Sequence, residues 1–175
     1  MSGDGTVRYA LQGGSCVLRF EGAIRYTLGH ALDVFLDRLF AQGGFEDVVV
    51  DLGDAESIDS TGLGLLAKIA GQLRRRNGRK PLVFSPRGDI NALLASICLD
   101  ERVVLCERPP VAATDAVPAT DPSSAELART VLNAHKLLCA MNESNRAMFQ
   151  SVVDAFEQEL ASTPETTAQP AEHGR

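Results

Sequence analysis

The stretch Asp47-Val48-Val49-Val50-Asp51-Leu52-Gly53-Asp54-Ala55-Glu56-Ser57-Ile58-Asp59-Ser60-Thr61-Gly62-Leu63-Gly64-Leu65-Leu66-Ala67-Lys68-Ile69-Ala70-Gly71-Gln72-Leu73 decides how the rest of the chain is read. Val48-Val49-Val50 is a continuous apolar run without the alternation of a strand that has one wet face. Asp47 to Leu52 therefore reads as a central parallel strand covered on both sides. Beyond Ile58 comes a turn, then an amphipathic helix ending in Arg74-Arg75-Arg76-Asn77-Gly78. Basic residues suit the negative end of a helix dipole, and Asn-Gly provides the stop.

Working outward, Thr6 to Leu11 and Cys16 to Phe20 are short β-prone runs joined by Gln12-Gly13-Gly14-Ser15, a hairpin signature. From Thr27, the residues Leu28, Ala31, Leu32, Phe35, Leu36 and Leu39 recur at three and four and stop at Gly43-Gly44, which predicts a helix. Lys80 to Phe84 reads as a strand, Asp89 to Cys98 as a short helix and Arg102 to Cys106 as a last strand. The order ββαβαβαβ predicts an α/β fold, a mixed sheet covered by helices. Arg108 to Pro122 carries four prolines without apolar periodicity and reads as an extended linker. The expected divisions are 1–107, a globular domain; 108–122, the linker; 123–162, a C-terminal helical extension; and 163–175, a disordered tail.

A chain of 175 residues with 45% hydrophobic and 23% charged side chains can bury a real core. Its 17 basic and 23 acidic groups give a net charge of −6, which argues against a phosphate-neutralising nucleic-acid face. That charge is uneven: residues 1–106 hold 12 basic and 13 acidic groups, and residues 107–175 hold 5 and 10. With no apolar run of 18 residues and no signal-like start, neither a membrane span nor secretion is expected. The cysteines Cys16, Cys98, Cys106 and Cys139 are scattered within apolar stretches, so they read as buried hydrophobes in a reducing cytoplasm, without metal or cofactor.

The junction before the second helix carries the chemistry. Ser60 or its neighbour stands where an N-cap belongs, and helix capping alone explains a hydroxyl there. Yet Gly62 and Gly64 lie in the first turns, where each costs about 0.5–1 kcal/mol against Ala, so something requires their smallness. A bare backbone beside an exposed hydroxyl suits the close approach of another protein. Asp51, Asp54, Glu56 and Asp59 precede it, so a phosphate of about −1.5 to −2 charge on Ser60 would change docking more than folding. His30, His135 and His173 stand too far along the chain to suggest a Ser/His/Asp relay, and no phosphate-cradling loop accompanies Gly62-Leu63-Gly64. An enzyme is not expected. Arg74-Arg75-Arg76 with Arg79 and Lys80 reads as a solvated helix end.

Asp59-Ser60-Thr61-Gly62-Leu63-Gly64, after an apolar strand and before an apolar helix, resembles the phosphorylation loop of the STAS domain, the fold of bacterial anti-anti-sigma factors. The likeness extends to the element order, to Arg19-Phe20-Glu21-Gly22 and to Ser85-Pro86, over about residues 6–107. The resemblance implies an anti-sigma factor antagonist that acts by binding. Its partners would be an anti-sigma factor or serine kinase with an ATPase-like fold and a PPM-type phosphatase. It implies Ser60 as the phosphorylated residue, Thr61 as the runner-up, and Asp59, Ser60, Thr61, Gly62, Leu63, Gly64 and Arg25 as the partner contact. Arg25 stands where family members commonly carry an acidic residue, so it reverses a local charge. The alternatives are a non-phosphorylated STAS adaptor of a transporter or lipid-trafficking assembly, and a small-ligand STAS sensor.

Ser123-Ser124-Ala125-Glu126 is a capping box. Behind it, Leu127, Val131, Ala134, Leu138, Met141, Asn145, Met148, Val152 and Ala155 form a heptad seam, widened by Leu137, Phe149, Val153, Phe156 and Leu160. Asn142 to Asn145 is a candidate break into a helical hairpin, and Asn145 a candidate register residue. The stripe needs burial against the domain, a second copy through residues 123–160, or a partner.

Overall fold

The computed structural model describes residues 4–163. It has six strands, β1 (Thr6–Gln12), β2 (Ser15–Ile24), β3 (Asp47–Ile58), β4 (Leu82–Phe84), β5 (Val104–Cys106) and β6 (Asp115–Ala116). Its five helices are α1 (Tyr26–Gln42), α2 (Ser60–Asn77), α3 (Gly88–Ser96), α4 (Ser124–Cys139) and α5 (Glu143–Ser162). The sheet order is β5-β4-β3-β2-β1-β6. β1 and β2 are antiparallel, and β2, β3, β4 and β5 are parallel neighbours in that order. The α/β class and the order ββαβαβαβ hold through β5.

The hairpin between β1 and β2 turns on Gly13 (φ 59°) and Gly14 (φ 78°), the two left-handed positions a type I′ turn requires. β3 is central, as its valine run demands: Val48 and Val50 are buried and Leu52 is fully so. It is also twice as long as expected, continuing through Gly53-Asp54-Ala55-Glu56-Ser57-Ile58. This polar stretch is held in the sheet by β2, which likewise runs on to Ile24, and the pairing slips register around Phe20 and after Gly22. Non-local pairing overrides weak β propensity there. The extension carries the chain along the sheet to the start of α2.

α2 ends as expected, with Gly78 left-handed at φ 76° and its N–H bonded to the Arg74 carbonyl. Arg76 stacks on Phe45 and Arg79 bonds Asp47 at 2.6 Å, so part of that basic turn is tied to the domain.

The segment 108–122 is extended but not free: Asp115 and Ala116 pair with Tyr9 and Arg8 and close the outer edge of β1. The Ser123–Glu126 capping box forms, with Ser123 N–H donating to Glu126 at 2.8 Å and Glu126 N–H to Ser123 Oγ at 3.2 Å. That backbone donor, followed by the Ser123 side chain, holds the Glu126 carboxyl below its ordinary value.

The C-terminal stripe does not form one seam. The chain reverses at Asn142, whose side chain caps α5 by accepting from Asn145 N–H at 2.8 Å. Val131, Ala134, Leu138 and Asn145 stay buried, while Met148 and Ala155 face solvent. α5 instead turns Phe149, Val153, Phe156 and Leu160 toward Leu132 and Cys139 of α4. α4 packs across α2 and α1 of its own chain, so the α4 part of the stripe is buried against the domain. Asn145 is fully buried and donates to the Ile97 carbonyl at 2.9 Å, tying α5 to the end of α3.

All four cysteines are free thiols; Cys16 and Cys139 are buried and Cys98 and Cys106 half-buried. Burial pushes the Cys16 thiol up to about 12. Among the described residues, no helix is long and apolar enough to cross a membrane. The tail beyond Thr163, expected to be disordered, lies outside the described residues.

Candidate functional site

The β3–α2 junction is organised by Asp59. Its Oδ1 accepts from Gly62 N–H at 2.8 Å and its Oδ2 from Tyr26 N–H at 2.6 Å, while its own N–H donates to the Ile24 carbonyl at 3.0 Å. One carboxylate thus fixes the starts of α2 and α1 and brings the β2–α1 turn, with the exposed Arg25, beside the Ser60 loop. Asp59, not Ser60, is the N-cap, so capping does not account for the Ser60 hydroxyl. Asp59→Ala removes both acceptors and is expected to cost about 2 kcal/mol, the upper range for losing an N-cap. Asp59→Asn keeps one acceptor and should cost less. Urea unfolding of the two variants measures the difference.

Ser60 is half-buried at the first position of α2, and its Oγ lies 2.8 Å from Nε2 of His135 on α4. The other ring nitrogen, Nδ1, is 2.7 Å from the Val131 carbonyl. A carbonyl only accepts, so Nδ1 carries a proton, and in the neutral ring Nε2 accepts from the Ser60 hydroxyl. His135 is 3% exposed and meets Phe149 of α5 edge-on, with ring centroids 5.7 Å apart. Sequence spacing gave no reason to join Ser60 to a histidine 75 residues on; only the fold-back of the C-terminal segment does so. The pair is two-thirds of a hydrolytic relay, but the Val131 carbonyl occupies the position an acid would hold.

The two glycines are not bare, contrary to expectation. A Cβ on Gly62 would stand 2.8 Å from Ile58 Cγ2 and 3.2 Å from Ile24 Cγ2, so its smallness serves packing within the domain. A Cβ on Gly64 would stand 2.4 Å from the Ala134 carbonyl oxygen, so the close-approaching surface is α4 of the same chain. Thr61 is 2% exposed and Leu63 3%. Of the adjacent hydroxyls, Ser60 is the reachable one.

The carboxylates are less concentrated than their spacing implied. Because β3 runs on to Ile58, Asp51 sits roughly 23 Å up the strand from it at about 3.3 Å per residue. There Asp51 accepts from Gly53 N–H at 2.8 Å. Asp54 is paired with Arg19, and the bond and charge of Asp54 raise the Arg19 pKa. Glu56 is exposed, and only Asp59 touches the Ser60 turn. Among the described residues no cluster of three or more His, Cys, Asp or Glu side chains converges to hold a metal.

Comparison with known proteins bears on the first 112 residues. A family model described as the STAS domain matches residues 7–112. No curated protein matches the sequence. Among solved structures, the anti-sigma factor antagonist SpoIIAA in its unphosphorylated form superposes with a TM-score of 0.52 at 14% identity, over 58% of this chain and 89% of that one. An NMR structure of a second protein, 22% identical, covers 56% of this chain and 78% of its own at a TM-score of 0.49. A crystal structure of that same second protein, TM1081 from Thermotoga maritima, described as a candidate anti-sigma factor antagonist, is 23% identical and covers 57% and 84% at 0.48. At these identities the likeness is one of fold. The family match ends before β6, α4 and α5.

Proposed function

The chain belongs to the STAS domain family, and from that premise we propose that it is an anti-sigma factor antagonist whose binding is switched by phosphorylation of Ser60. The observation that carries the reading is the placement of Ser60. It is a half-buried hydroxyl at the positive end of α2, with the capping duty already taken by Asp59 and the neighbouring Thr61 sequestered. A phosphate added there gains from the helix N-terminus and meets the Asp59 carboxylate beside it, so it alters the docking face while leaving the fold in place. ATP, metal and catalytic base belong to a partner kinase with an ATPase-like fold, and removal of the phosphate to a PPM-type phosphatase. Asp59, Ser60 and Arg25 are the accessible part of the contact; Thr61, Gly62, Leu63 and Gly64 are buried and would join it only where the covering residues move away. Four free thiols suit the cytoplasm, where such partners work.

Incubating the protein with ATP and its cognate anti-sigma kinase, then mapping phosphopeptides by mass spectrometry, is expected to place one phosphate on Ser60 and none on the Ser60→Ala variant. Phosphate elsewhere, or none, overturns this reading. One observation favours a second: the Ser60 hydroxyl is already engaged by His135. A STAS adaptor of a transporter or lipid-trafficking assembly would use the α2 face with no phosphate, and would bind its partner equally well as Ser60→Ala or Ser60→Asp.

A further inference from the structure

The groove between α1 and α2 is shaped for a helix. Gly29 of α1 and Gly64 of α2 are its two notches: the first is shared between Thr61 of α2, whose Cγ2 would stand 3.1 Å from a Cβ there, and Thr130 of α4, and the second is filled from α4. A Cβ at Gly29 would stand 3.3 Å from Thr130 Cγ2, and one at Gly64 would stand 2.4 Å from the Ala134 carbonyl and 2.6 Å from Ala134 Cβ. Thr130 and Ala134 are one helical turn apart, so a single face of α4 meets both notches. The same helix brings His135 onto Ser60. Thr61 through Ala67, the first two turns of α2, are buried without interruption.

The piece that does this is built separately from what it covers. It follows the family domain, which the match ends at residue 112, and is reached through the two-residue strand β6. It also has an apolar cluster of its own, Leu132, Cys139 and Val153 with Phe149, Phe156 and Leu160, and an internal ion pair between Lys136 and Glu157 at 2.7 Å. Those contacts lie within the hairpin and survive if it moves as a unit. Its ties to the domain run through one face of α4 and the turn into α5: Leu138 in the main core with Leu137, Met141 and Phe149 packed against it, Asn145 on the Ile97 carbonyl, Met141 O accepting from Arg102 at 3.3 Å, and the Ser60–His135 bond.

We propose that the α4–α5 hairpin is a lid that competes in cis for the helix seat on α2, so that a kinase or binding partner reaches the Ser60 face only when the lid lifts. The lid rests on the reading of Ser60 as the partner-facing hydroxyl. A kinase must draw the residues flanking its target into an active site, and here the residues that follow Ser60 lie under α4. The Ser60–His135 bond is the polar latch of the closed state, and Phe149 brings α5 against the same imidazole. In the closed protein, α4 stands in for the partner.

The test uses the full chain, with Ser60→Cys as the reporter in a Cys98→Ser, Cys106→Ser background and N-ethylmaleimide as the probe. Alkylation at position 60 is followed by peptide mass spectrometry. Ala134→Leu, which drives a larger side chain into the Gly64 notch from the lid side, is expected to speed that alkylation at least 10-fold. Equal rates overturn the lid. Native-state hydrogen exchange on the unsubstituted protein keeps the test decisive if Ala134→Leu fails to fold. Amides of Thr130–Leu138 should exchange at least 10-fold faster than those of Val48–Leu52, and equal protection overturns the lid. Neither readout involves phosphate. Fast alkylation with no phosphate at Ser60 keeps the lid and removes the phosphorylation switch; equal alkylation with Ser60 phosphorylated removes the lid and keeps the switch.

Discussion

Gly64→Val is expected to destabilise the protein by about 3 kcal/mol, the upper part of the range for overpacking a filled interior. The new Cβ would stand 2.4 Å from the carbonyl oxygen and 2.7 Å from the carbonyl carbon of Ala134. A backbone group has no rotamer to escape into, so α4 must shift away from α2. For a domain of this size that loss lowers Tm by roughly 6–12 °C, at about 2–4 °C per kcal/mol. Gly62→Ala is the informative companion, because the atom it meets at 2.8 Å is a side-chain methyl of Ile58, which can yield. Thermal unfolding followed by circular dichroism checks both. An unchanged Tm for Gly64→Val would mean that α4 does not sit on α2 in solution.

Leu138→Ala is the second large effect. Leu138 is fully buried and is the α4 member of the main core, whereas Leu132 and Cys139 belong to the hairpin's own cluster. Removing its side chain leaves a cavity between hairpin and domain, at a cost of about 3 kcal/mol, within the range for buried leucines. Leu132→Ala, 7% exposed in the smaller cluster, should cost less and loosen α4 against α5. Urea midpoints with unchanged m-values give both numbers. A Leu138→Ala protein as stable as the unsubstituted one would remove the hairpin from the core.

Where local pattern and global fold agree, the sequence was legible. The valine run of β3, the three-and-four spacing of α1 and α2, the double-glycine turn after Gln12, the Asn77-Gly78 stop and the Ser123–Glu126 box each fix their element through contacts a few residues apart. What stayed hidden depends on distant contacts. Gly53 to Ile58 has weak β propensity and becomes strand because β2 lies alongside. Asp115-Ala116 becomes strand because the outer edge of β1 is open to it.

The site divides the same way. The Asp-Ser-Thr-Gly pattern pointed to the β3–α2 junction as the candidate site, while the burial of Thr61 to Gly64 was not legible from it. Neither was the identity of the N-cap, since Asp59 is chosen by the need to hold Tyr26 and Gly62 together. Nor was His135, whose meeting with Ser60 depends on a reversal at Asn142 and on the seating of α4. The smallness of Gly64 does serve a close approach, but not the approach of another protein that its pattern suggested. The approaching surface belongs to the chain itself.

Under the two proposals events follow an order: the lid would govern whether the Ser60 face is available, and the phosphate whether an available face binds. The proposed function turns on the second step. Titration calorimetry of the cognate anti-sigma factor against unmodified protein and against protein stoichiometrically phosphorylated on Ser60 tests it most directly. The phosphorylated form is expected to bind at least 10-fold more weakly, about 1.4 kcal/mol, with an unchanged far-ultraviolet spectrum. Equal affinity of the two forms would contradict it.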